Sequence, residues 1–133
     1  MVKKFGIYLP TDLANELERC MRLLGFRSKS RLFQEALRLF IAEHRWELTG
    51  NAVGIIGVVY DHSIKHVDEQ LTHVQHDFID IIVSTMHVHL DKEKCMLIIA
   101  IRGNTARIKE LIRKIMEVRG VLVTRPVLLA SET

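Results

Sequence analysis

Two rhythms of apolar residues divide the chain. The first is brief: Lys4-Phe5-Gly6-Ile7-Tyr8-Leu9 alternates strictly, so Phe5, Ile7 and Leu9 share one face of a predicted strand while Lys4, Gly6 and Tyr8 share the other. Pro10 ends that strand and Thr11 can cap a helix. Leu13, Leu17, Met21 and Leu24 recur at helical spacing until Gly25 stops them. Ser28 or Ser30 then caps a second helix with Leu32, Phe33, Ala36, Leu37, Phe40 and Ile41 on its apolar face. After a small polar joint at Leu48-Thr49-Gly50-Asn51 the rhythm changes. Residues 52–60 read as a buried strand, and 64–74 as a helix carrying Ile64, Val67, Leu71 and Val74. Two strands are predicted over 78–90 and 94–102. A helix then opens at Gly103-Asn104-Thr105 with Ile108, Leu111, Ile112 and Ile115 on one face, and after Gly120 a last strand runs over 121–129. The prediction is an α+β chain of two domains, strand–helix–helix over 1–48 and βαββαβ over 51–133. The second order is the split βαβ arrangement, which puts its second and fourth strands at the sheet edges. Pro126 agrees, because proline in a sheet is confined to edges and bulges.

One copy of the first unit cannot bury its apolar faces, since a single short strand has no partner and so small a core is marginal. Two copies can pair their strands antiparallel and close a common core. The rows of Lys4, Gly6 and Tyr8 then line a two-stranded ribbon of the width that enters the major groove of double-stranded DNA. Charge points the same way. The net charge is +3, yet residues 1–46 hold nine Lys/Arg against five Asp/Glu, and the remainder is slightly acidic. A basic excess confined to one unit is an electrostatic footprint for nucleic acid.

The candidate chemistry lies in the second unit. His87 and His89 are two apart in a strand and leave it on one face. Asp91-Lys92-Glu93-Lys94 reads as a turn, and a hairpin centred near Lys92 sets Cys95 opposite His89, with Cβ atoms roughly 5 Å apart. Two imidazoles and a thiolate suit Ni(II), Cu(II), Co(II) or Zn(II) far better than Mg or Ca. His76 lies eleven residues before His87, roughly 30 Å away if the chain between them is extended. It is therefore expected to serve the site of a second copy, through an isologous contact about a two-fold axis near residue 82.

Other classes fall away. Apolar residues make up 48% of the chain, enough for a core, but no run approaches the roughly 20 needed to span a membrane. No signal-peptide pattern opens the sequence, and its two cysteines, Cys20 and Cys95, have unrelated surroundings, so a cytoplasmic location without disulfides is expected. An enzyme using Cys95 and His89 as nucleophile and base would place them on a sheet edge with no oxyanion donor, so no enzymatic activity is expected.

The first unit resembles the ribbon-helix-helix family of DNA-binding proteins. The resemblance implies that Lys4, Gly6 and Tyr8 face the bases. It also implies that the backbone near Ser28, flanked by Arg27 and Lys29, clamps a phosphate. Together with the βαββαβ unit, the chain is similar to the nickel-responsive regulator family, NikR. The most specific segments are Val74-Gln75-His76, Ser84-Thr85-Met86-His87-Val88-His89 and Cys95. That resemblance implies a ferredoxin-like, ACT-like metal-binding domain and one square-planar Ni(II) per chain. Its ligands would be His87, His89 and Cys95 from one chain and His76 from a neighbour. It further implies a homotetramer with a ribbon dimer at each end, and repression of nickel-uptake genes when metal is bound. Tyr60 and His62 match positions near the metal loop, and Lys65 a phosphate contact. The chain departs from the family's pattern in three respects. Lys4, Gly6 and Tyr8 stand where Arg and Thr are usual, so the operator should differ. Leu97 replaces a common Glu, which can retune the site toward Cu, Co or Zn. Arg31 and Glu35 occupy the positions of an interdomain potassium site, where the Arg31 guanidinium is expected to replace the cation and pair with Glu35. An ACT-like unit that answers to a small metabolite is the remaining alternative.

Overall fold

The computed structural model describes residues 1–131, and the chain divides inside its second helix into two units, Met1–Phe40 and Ile41–Thr133. In the first unit, residues 1–10 form neither helix nor strand, and Phe5, Ile7 and Tyr8 are exposed. The strand expected over 4–9 is therefore absent, and of the ribbon-helix-helix order only the helices stand. The reason is physical: a strand exists through the ladder a neighbour supplies, and the single chain offers this segment none. Helix α1 (Thr11–Leu24) follows Pro10, whose carbonyl accepts from the Ala14 N–H at 2.9 Å. Thr11 is the first helical residue rather than the cap. Gly25 ends α1 in the left-handed conformation, φ 75°, where a side chain would be strained. Helix α2 (Lys29–His44) is capped by Ser28, whose Oγ accepts from the Arg31 N–H at 3.2 Å. Only Met21 is buried in these helices, while Leu13, Leu24, Leu37 and Phe40 stay exposed.

The second unit holds a four-stranded antiparallel sheet. Its elements are β1 (Asn51–Asp61), α3 (Val67–Asp77), β2 (Ile82–His89), β3 (Lys94–Asn104), α4 (Thr105–Met116) and β4 (Val121–Ser131). The strand order β2-β3-β1-β4 puts β2 and β4 at the edges, as the βαββαβ pattern requires, and Pro126 lies on edge strand β4. Both helices cover one face. Val67 and Leu71 of α3, with Ile108, Leu111 and Ile115 of α4, pack on Ile56, Val58, Tyr60, Cys95, Leu97, Ile99 and Ile101. Trp46, in a short 3₁₀ turn (Arg45–Leu48) ahead of the expected joint, is buried in this same core.

Two boundaries differ from expectation, and both matter for the site. Helix α3 starts at Val67, because His66 adopts a left-handed φ of 69° and Ile64 packs on the core from the preceding loop. It also runs on to Asp77, which takes in His76. Strand β2 starts at Ile82 rather than 78, because residues 78–81 form a turn in which the N–H groups of Ile81 and Ile82 both reach the Phe78 carbonyl, at 3.0 and 3.1 Å. Phe78 and Ile81 both enter the core. Their separation of three is a turn's spacing, which a reading of alternation had absorbed into the strand.

Leu111 is fully buried between α4 and the sheet. Leu111→Ala should cost about 2–5 kcal/mol, read as a lowered urea midpoint with an unchanged slope.

Candidate metal centre

The β2–β3 hairpin sets the site. Asp91 organises its turn, its Oδ1 accepting from the N–H groups of Glu93 and Lys94 at 2.8 and 2.7 Å. Those two bonds hold the Asp91 carboxyl below its ordinary pKa. The resulting register places His89 opposite Cys95 and His87 opposite Leu97, and β1 sets Tyr60 against Cys95 from the other side. Directly opposed residues share a face. Tyr60, Cys95 and His89 therefore form one row across three strands on the helix-covered side, with His87 beside it.

Among the described residues, the ligand atoms of His87, His89 and Cys95 form a group of metal-binding type, all within 4.8 Å of one another. The His89 Nδ1 lies 3.5 Å from the Cys95 Sγ, and the two imidazole centroids are 4.8 Å apart. Donors on opposite sides of one ion, at metal–ligand lengths near 2.0 and 2.3 Å, are separated by roughly 4.3 Å. A small side-chain rotation would thus bring all three onto one ion. Cys95 is 1% exposed while both histidines reach solvent. The thiolate would sit at the dry end of the site and the imidazoles at its open end.

Around His87 the hydrogen bonding has a defined direction. Burial first, then the Asp68 carboxylate, raises the Tyr60 hydroxyl well above the ordinary phenol range, so it stays an O–H donor. It donates to Asp68 Oδ1 at 2.9 Å and lies 3.3 Å from His87 Nε2. With its proton directed at Asp68, the Tyr60 oxygen is an acceptor toward His87 Nε2, an arrangement that favours the Nε2–H tautomer and leaves Nδ1 with the lone pair a metal needs. The other Asp68 oxygen faces His62 Nδ1 at 3.7 Å. Sequence reasoning missed Asp68, because nothing in the spacing of α3 shows that its first turn meets the end of β1.

His76 is not part of this group. It lies in the last turn of α3 rather than in an extended strand, on an exposed groove with Asp68, Glu69, Thr72 and His73. The distance argument built on a continuous strand therefore does not hold, although His76 remains outside its own chain's group. Its neighbour Gln75 accepts from Thr85 Oγ1 at 2.9 Å, tying this end of α3 to the metal strand.

A model of the NikR C terminal nickel binding domain matches residues 53–129. A protein of Methanothermobacter thermautotrophicus named "Putative nickel-responsive regulator 2" is 37% identical over 89% of this chain and 86% of its own length. A Methanocaldococcus jannaschii protein with the same name but no numeral is also 37% identical, over 89% of this chain and 85% of its own. The chain belongs to the NikR family of nickel-responsive regulators. This is a regulatory family, not an enzyme family. Solved structures support the second unit's fold alone. An ACT domain from the GTP pyrophosphokinase of Chlorobium tepidum matches 57% of the chain and 97% of its own length, with TM-score 0.50 at 20% identity. An uncharacterised Thermotoga maritima protein matches 58% and 98%, with TM-score 0.51 at 18% identity. The second unit of this NikR chain is thus ACT-like.

The remaining expected positions are placed as follows. Lys4, Gly6, Tyr8, Arg27, Ser28, Lys29 and Lys65 are all exposed. Lys29 Nζ is 2.8 Å from Glu18, which offsets part of its charge. Arg31 Nε and Glu35 Oε1 lie 3.4 Å apart, one turn along α2. Nitrogen-15 spectra of the metal-free protein above the histidine pKa should show His87 protonated on Nε2. A dominant Nδ1–H form would contradict the Tyr60–Asp68 arrangement.

Proposed function

We propose that this chain is a nickel-responsive DNA-binding regulator whose metal-loaded form represses nickel-uptake genes in the cytoplasm. The observation that carries the reading is the His87–His89–Cys95 group on the helix-covered side of an edge strand. A planar ion takes four donors and one chain supplies three, so His76 of a neighbouring subunit completes the set, at one Ni(II) per chain. Residues 1–48 act as the ribbon-helix-helix domain, with Lys4, Gly6 and Tyr8 toward the bases and Arg27, Ser28, Lys29 and Lys65 toward phosphates. The exposed Phe5, Ile7 and Leu37 support pairing of two such units, since a single unit leaves them in water. Residues 51–133 bind metal and assemble the tetramer. Arg31 beside Glu35 supplies the positive charge that an interdomain cation would otherwise bring.

Support for assembly also comes from the sheet face without helices. Val53, Ile55, Met86, Val123, Val127 and Leu129 are each 40–64% exposed there. Apolar area of this kind marks an interaction surface. Val127→Asp is expected to halve the assembly or reduce it further, with the helical circular dichroism kept. Sedimentation velocity reads the outcome, and a tetramer indistinguishable from the parent would remove this face from the interface.

The deciding experiment is a Ni(II) titration of reduced, metal-free protein followed by ultraviolet–visible absorption. A saturating thiolate-to-metal band with planar ligand-field absorption at one nickel per chain is expected. Cys95→Ala should abolish both the band and nickel-dependent selection of duplexes from a random pool, while the variant stays tetrameric. A featureless response to nickel, with saturation by Cu, Co or Zn instead, would overturn the nickel assignment.

A further inference from the structure

Arg107 lies in the first turn of α4, next to the Asn104 cap that accepts from the N–H groups of Ala106 and Arg107. Its guanidinium reaches away from α4 to the turn between α3 and β2. Nε and Nη2 bind the two oxygens of Asp80, each at 3.1 Å, and Nη2 also donates to the Asp77 carbonyl at 2.6 Å. The plane stands 4.0 Å from the Phe78 ring centroid. Nη1 returns to Glu110 on its own helix at 3.3 Å. The turn is held from below as well: Arg102 N–H donates to the Ile81 carbonyl at 2.9 Å, and a side chain at Gly103 would meet Ile81 Cγ2 at 2.7 Å. One side chain, one-third exposed, thus holds three residues of this turn, Asp77, Phe78 and Asp80. Only a planar fork with several donors can bind a carboxylate twice, a carbonyl once and an aromatic face together. Lysine cannot.

The held segment, 77–81, joins the two halves of the donor set. His76 immediately precedes it, and β2 with His87 and His89 follows it. We propose that Arg107 is a positioning residue that fixes the reach of His76 toward a neighbouring subunit's metal ion. The inference rests on the four-donor reading of the site. Arg107 touches no donor. It sets the angle at which the last turn of α3 leaves the metal strand, and the Thr85–Gln75 bond sets the same end from the other side. Groups that hydrogen-bond a ligand directly typically change metal affinity 10–100-fold when removed, which sets the scale for a residue that aims one.

The test compares the full-length parent, Arg107→Gln, His76→Ala and the double variant. In metal-free protein, Arg107→Gln should speed hydrogen exchange at the amides of Ile81, Ile82 and Arg102 while leaving the β1–β3 amides protected. With Ni(II), it should keep the thiolate band, lose planar ligand-field absorption as His76→Ala does, and bind roughly 10–100-fold more weakly. In the His76→Ala background the same change should cost nothing further. Parent-like spectra and affinity in Arg107→Gln, or an equal loss in both backgrounds, would overturn the proposal and leave Arg107 a purely structural clamp. If Arg107→Gln does not fold, Asp80→Asn, which removes the bidentate partner, carries the same comparison. His76→Ala that binds nickel like the parent would overturn the cross-subunit site itself, and the proposal with it.

Discussion

A slip of one residue between β2 and β3 would turn His87 and His89 to the opposite face of the sheet and leave Cys95 without either imidazole. Everything at the site depends on the register that prevents this. Two constraints hold it. At one end, the Asp91 carboxylate fixes the turn through the backbone of Glu93 and Lys94. At the other, the ladder shifts between Ile82 and Ser84, and the turn before it is anchored through Phe78 and Ile81 in the core. The strand between is too exposed to specify its own pairing by burial, since Val83 and Met86 face solvent as the histidines do. Register is therefore imposed from the ends, and the chemistry is placed by two turns.

The hairpin was legible because its signal is local. The i, i+2 histidines, the charged turn at 91–94 and the cysteine near the start of β3 depend only on strand geometry and a short loop. The edge positions of β2 and β4 followed from element order alone. What stayed hidden is a turn that imitates a strand and a set of contacts between distant elements. The start of β2 was misplaced because Phe78 and Ile81 look like strand residues until the Phe78 carbonyl is seen to accept from Ile81 and Ile82. His76 went with them, assigned to a strand although α3 continues through it. Asp68, Tyr60 and His87 come from three elements, and no spacing in the sequence joins them. The N-terminal strand was legible as a pattern and is absent as a structure, for the single chain lays no strand beside it.

Open apolar area is present in both units. The first has apolar helix faces without cover, and the second has an apolar sheet face opposite its helices. Apolar area left open in this way marks surfaces suited to association. In the proposed regulator this has a consequence. Metal donors and the open apolar face would then both lie at subunit contacts, on opposite sides of the sheet, so metal and assembly would act on one equilibrium.

A metal can report its presence only if it binds one arrangement of the subunits more tightly than another. Three donors on one rigid hairpin would hold an ion in any arrangement, with the same affinity in each, and would transmit nothing. The fourth donor breaks that indifference when it comes from another chain. Its contribution is available only in arrangements that bring the two subunits into reach, and its size bounds the coupling. If a single ligand changes affinity by 10–100-fold, the shift it can impose is about 1.4–2.8 kcal/mol per site. Two sites at one contact would double it, enough to move a balanced equilibrium almost wholly to one side. The information in such a site resides in its least tightly held ligand, and the residues that aim that ligand matter as much as the three that grip the ion.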